Sequence, residues 1–174
     1  MTSRGFDAMG ATVVALMLAA SSVLLGQDVP LEYRVKAAYL VNFTKFIDWP
    51  KEPGPLTICV AGRNVFGDVL SDTIRGETIN GRPLAVRVLL EPEPGCHVTF
   101  VPRGAAAPAY LRAARSFPEL TVGESPDFIA QGGIVNFVVE GGSVRFEIDA
   151  NAAERSGLRI SSRLLQLARD PGGL

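Results

Sequence analysis

Few residues in this 174-residue chain have the type and spacing to do chemistry. His97 is the only histidine, and it stands beside Cys96 at the start of the apolar run CHVTFV. No SxxK, GxSxG or HExxH pattern accompanies it, so it reads as a packed or solvated histidine at a strand end rather than a general base. The carboxylates Asp68, Asp72, Glu77, Asp127 and Glu147 are scattered, and no spacing pairs two of them for acid–base work. Nothing resembles a CxxC redox site or a metal-ligand cluster, so neither a metal nor a cofactor is expected.

Three stretches could bind rather than react. VAGRNVFG, after an apolar run, sets Arg63 and Asn64 between Gly62 and Gly67, where an α/β sheet presents strand ends and helix starts to anions. Its glycine spacing matches neither GxGxxG nor a lysine-bearing phosphate loop. The plainer reading is a turn with Asn64 as a helix cap, and the other is a small-molecule pocket using Arg63. Ser125 with the glycines at 132 and 133 reads the same way, as local capping. GLRISSRLLQLA gathers Arg159 and Arg163 beside Leu164, either as a closing helix packed on a sheet or as a contact surface for a partner. Trp49, at the end of NFTKFIDWP, either plugs the domain edge or lines a pocket or partner surface.

These residues need elements to hold them. LEYRVKAAYLVNFTKFIDW puts Leu31, Val35, Ala38, Tyr39, Asn42, Phe43 and Phe46 on one side at helical spacing, with Lys36, Thr44, Lys45 and Asp48 elsewhere. Pro50 stops that helix. LTICVAG reads as a buried strand and RNVFGDVLSDTI as a short helix. RGETINGRP reads as a polar loop, and PLAVRVLLE and HVTFVP as strands. AAAPAYLRAARSF is a helix, LTVG a short strand and SPDFIAQGG a small capped helix. GIVNFVVEGGSVRFEID is two alternating strands around Gly141 and Gly142, the clearest hairpin signal in the chain. A helix near Asn151 and another capped by Ser161 or Ser162 finish it, with PGGL as a frayed end. The pattern predicts an α/β fold: a mainly parallel sheet covered by helices on both faces, with a C-terminal antiparallel hairpin.

Composition bounds the rest. With 47% apolar and 20% charged residues the chain is globular, and a net charge of -1 offers no basic field for nucleic acid. Ala8 to Gly26 is uncharged and apolar, with Arg4 upstream and small residues at Ala20 and Ser22, as in a secretory signal peptide. Residues 1–26 are therefore expected to be a signal peptide, or an N-terminal anchor, and residues 27–174 a single α/β domain. In an oxidising compartment Cys59 and Cys96 admit one bridge, and two buried free thiols are the alternative.

Three stretches, EYRVKAAYLVNFTKFIDWP at 32–50, TVGESPDFIAQGGIVNFVVEGGSVRFEID at 121–149 and GLRISSRLLQLAR at 157–169, resemble the YfiR family of exported bacterial proteins. The resemblance implies a small periplasmic α/β domain without catalysis, forming a homodimer. It also implies a repressor that binds the periplasmic sensor domain of an inner-membrane diguanylate cyclase and restrains cyclic-di-GMP production and biofilm formation. Cys59 and Cys96 fall where the family commonly has a bridging pair. The further pair of its better-characterised members is absent here, which puts redox sensing in doubt.

Overall fold

The computed structural model of the protein describes residues 28–169. The leader expected over residues 1–26 and the frayed end over 171–174 lie outside them. Helix α1 spans Leu31–Thr44, strand β1 Leu56–Ala61, helix α2 Val69–Thr73, strand β2 Thr78–Ile79 and strand β3 Arg82–Leu89. Strand β4 (Val98–Val101), helix α3 (Ala107–Ala114) and strand β5 (Leu120–Gly123) follow, then strands β6 (Val135–Glu140) and β7 (Ser143–Ile148), and helices α4 (Ala150–Arg155) and α5 (Ser162–Leu167). The seven strands form one sheet in the order β2-β3-β1-β4-β5-β6-β7. The five central strands are parallel, and β2 and β7 are antiparallel edges.

Successive residues of β1 enter two different cores, which shows how the layers form. Ile58 and Val60 face one core together with Leu40, Phe43, Leu70, Phe100 and Val122. Cys59 and Ala61 face a second core, with Tyr110 and Leu111 of α3 and with Phe128. Every residue of β1, β4 and β5 is buried, as expected of parallel strands covered on both faces. Phe43 is fully buried and packs edge-on to Phe146 with ring centroids 5.1 Å apart. The expected hairpin is present, its turn made by Gly141 and Gly142 at φ 53° and 78°.

Four local expectations are corrected. Helix α1 ends at Thr44: Lys45 and Phe46 close one tighter turn on the Asn42 and Phe43 carbonyls at 2.9 and 3.1 Å, and the chain then pairs with a distant segment. Ile47 bridges Ile160, the Asp48 N–H donates to the Arg159 carbonyl at 3.2 Å, and the Ser161 N–H to the Phe46 carbonyl at 2.8 Å. The helix is also rotated from the expected stripe: Lys36 and Thr44 are buried, Leu31, Ala38 and Asn42 are exposed, and Phe46 is half-buried. RGETINGRP holds a short hairpin, β2 to β3, whose turn residues Asn80 and Gly81 both take positive φ, 52° and 79°. SPDFIAQGG forms successive turns rather than a helix. Its Phe128 ring lies flat over two glycines, and a Cβ at Gly123 or Gly133 would stand 2.2 Å from it. That packing, rather than a continued helical ladder, fixes the segment.

Candidate functional site

The parallel strands present two ends. At the carboxyl ends of β1 and β4, where the chain order reverses and open α/β sheets bind ligands, Arg63 and Arg103 are both exposed. The crevice beneath them is filled. Phe66 is fully buried and packs on Phe100 and Tyr33, with centroids 5.0 and 5.7 Å apart. Beside it Lys36, 1% exposed, pairs with Glu124, 4% exposed, and with the half-exposed Glu32. Glu124 also accepts from the Tyr33 hydroxyl at 3.1 Å and from the Arg103 N–H at 2.7 Å. Burial first, then the Glu124 charge, push the Tyr33 hydroxyl up to about 12. Asn64 is not the cap of α2. It closes a preceding turn by accepting from the Phe66 N–H at 3.0 Å, while Asp68 stands at the cap position.

The opposite end holds Trp49. Its ring is half-buried, donates from Nε1 to the Thr44 carbonyl at 2.9 Å, and meets His97 edge-on at 5.5 Å. The Thr57 N–H donates to His97 Nδ1 at 3.1 Å, and Arg82 Nη2 lies 3.0 Å from Nε2. Burial, and next the Arg82 charge, hold the His97 pKa below its ordinary value. Arg82 donates to the carbonyls of Gly54, Pro50 and Pro55 at 2.9, 3.2 and 3.2 Å, so one guanidinium shapes the 50–55 loop. Trp49, Lys51, Glu52, Ile79 and Arg82 line a groove of about 670 Å³.

The other residues singled out in the sequence divide between these ends and the core. The bridge between 46–48 and 159–161 brings exposed Arg159 to the Trp49 side, with exposed Arg163 just beyond at the start of α5. Arg63 lies at the far end of β1 from Trp49. Leu164 is 2% exposed and belongs to the core, so the contact role considered for it is withdrawn. Cys59 and Cys96 are bridged, with Cα atoms 5.9 Å apart, and both are buried.

Sequence reasoning did not single out Lys36, Glu124, Arg82 or Glu119. Lys36 and Glu124 are 88 residues apart, so only a lysine inside an apolar helix and a Glu-Ser after a strand hinted at the pair. Glu119 is 4% exposed on the sheet face turned away from α1, among Thr99, Thr121 and Asn136. Burial raises its carboxyl from 4.5 to about 7. Among the described residues no three His, Cys, Asp or Glu gather as a metal-binding group.

In this α/β fold the crevice at the carboxyl ends of β1 and β4 is thus closed by bonded side chains. The chain belongs to the YfiR/HmsC-like family, whose model matches residues 33–169. That membership supports a periplasmic regulatory role in cyclic-di-GMP signalling, without catalysis. No curated protein matches the chain. Its fold is similar to the crystal structure of a conserved domain protein from Vibrio cholerae O1 biovar El Tor, with a TM-score of 0.52 at 14% identity. The match covers 80% of this chain and 59% of that one. Among the described residues no helix is long and apolar enough to cross a membrane.

Proposed function

We propose that the protein binds the periplasmic sensor domain of an inner-membrane diguanylate cyclase and represses it, acting as a homodimer. In this reading residues 1–26 export or anchor the chain and residues 27–174 act as one domain. The observation that carries it is the family match over residues 33–169. The Trp49 side, with Arg159 and Arg163 exposed beside a half-buried aromatic, has the composition of a partner contact. Deleting the gene in a host with such a cyclase should raise cyclic-di-GMP, and cross-linking should recover the cyclase. Unchanged nucleotide levels and no recovered cyclase would defeat the proposal.

A second reading, a small-molecule receptor reporting to another partner, draws on the groove beside Trp49. Native mass spectra of protein isolated from its host discriminate. A copurified small molecule favours the receptor, and bare protein favours the repressor.

A further inference from the structure

Helix α1 has apolar residues on both sides. Its inner side, Ala37, Leu40, Val41 and Phe43, is buried against the sheet. Its outer side carries Leu31, 75% exposed, half-buried Val35, exposed Ala38 and exposed Asn42. Glu32 and Arg34 flank that outer side, yet Leu31, Val35 and Ala38 leave it without the polar face usual for a surface helix. The outer residues follow one another at intervals of four, three and four, the spacing of a coiled-coil seam. In heptad terms Leu31 and Ala38 occupy d, and Val35 and Asn42 occupy a. A β-branched residue at a with leucine at d favours two strands, and a single asparagine at a selects register.

We infer that the outer face of α1 is the two-fold interface of a homodimer, in which two copies of α1 run parallel along the Leu31, Val35, Ala38 and Asn42 seam. This rests on the homodimer proposed above. The occupant is a second copy because the seam matches itself. In a parallel pair each a layer faces its equivalent, so the Asn42 amide meets Asn42 of the second copy, the polar partner an otherwise apolar seam would lack. Ala38 is small enough to let the axes approach. Arg34 at g, half-exposed beside the seam, is held back in its own chain, its Nε donating to the Val29 carbonyl at 3.1 Å and its guanidinium lying 3.9 Å from Asp28, so it leaves the seam clear. The 14 residues of α1 make a helix about 21 Å long, which is two heptads. Dissociation is therefore expected in the micromolar range rather than the nanomolar.

The test uses the bridged protein in sedimentation equilibrium, with two variants at exposed positions. Ala38→Glu places like charges across the axis and should weaken the dimer at least roughly tenfold, with an unchanged circular dichroism spectrum. Asn42→Cys adds one thiol to a chain whose own cysteines are bridged. Mild oxidation should link it to its counterpart, which a parallel seam permits and an antiparallel one does not. A dimer that survives Ala38→Glu with wild-type affinity, or fails to link through Asn42→Cys, overturns the seam and leaves the homodimer standing. A wild-type protein that is monomeric at every concentration overturns both.

Discussion

Removing Lys36 tests the main claim about how α1 is held. Its amine is 1% exposed and reaches Glu124, itself 4% exposed, so Lys36→Met leaves a buried carboxylate without its cation. Breaking a buried pair from one side costs about 3 to 5 kcal/mol. Here the lower end is expected, because Glu124 keeps two donors, the Tyr33 hydroxyl and the Arg103 N–H. Glu124→Leu should cost about the same: Lys36 retains Glu32, but Tyr33 and Arg103 lose their acceptor. Replacing both partners removes two charges from an apolar site. The double variant should therefore be more stable than the sum of the single losses predicts, by about 2 kcal/mol or more. Urea melts followed by the single tryptophan, Trp49, measure all four proteins. A Lys36→Met loss below about 1 kcal/mol, or additive losses in the double variant, would show that the pair is a solvated contact and that apolar packing alone holds α1.

Phe43→Ala should cost about 3 to 5 kcal/mol in urea melts read by circular dichroism, and Trp49→Ala clearly less, because Trp49 is half-buried. Trp49→Ala should also weaken binding to a sensor domain by about 2 kcal/mol, and equal folding losses with normal binding would make Trp49 core only. The bridge closes a separation of 37 residues, so reduction should remove up to about 4 kcal/mol and lower the melting temperature, with intact mass rising by about 2 Da. Glu119, raised from 4.5 to about 7, contributes stability that is complete below its unfolded value and is lost as pH rises through the folded one. Melts of wild type and Glu119→Gln should therefore diverge between those values, by up to about 3 kcal/mol, and parallel curves would refute the assignment. His97 works in the opposite sense: its folded pKa lies below 6.5, so acidification from that value down toward the folded one should destabilise the wild type but not His97→Gln.

What the sequence made legible follows the range of the interactions. LTICVA and VTFV announce buried parallel strands by being apolar throughout, and Gly141 with Gly142 announces a hairpin, because both signals are local. The orientation of α1 was not legible, since Lys36 is buried by a partner 88 residues away and apolar residues stand on both sides of the helix. SPDFIAQGG carried helix start and stop signals, yet the Phe128 ring and its two glycines override them. Trp49 and Arg159 stand 110 positions apart in the chain, and only the Ile47 to Ile160 bridge reveals that they share one end of the molecule. Leu164 looked like its neighbours Leu165 and Leu167, and only packing separates a 2% exposed leucine from one at 64%.

The bridge between Cys59 and Cys96 has a topological consequence. It joins β1 to the segment leading into β4, so the excursion through α2, β2 and β3 becomes a closed covalent ring, with β3 lying across β1 from β4. A closed ring cannot be traded between molecules. Two copies brought together could exchange an identical element only from parts of the chain outside the ring, such as the β6–β7 hairpin at the far edge of the sheet. In the oxidised protein, domain swapping is thus barred on one side of the sheet and left open on the other, and reduction removes that asymmetry.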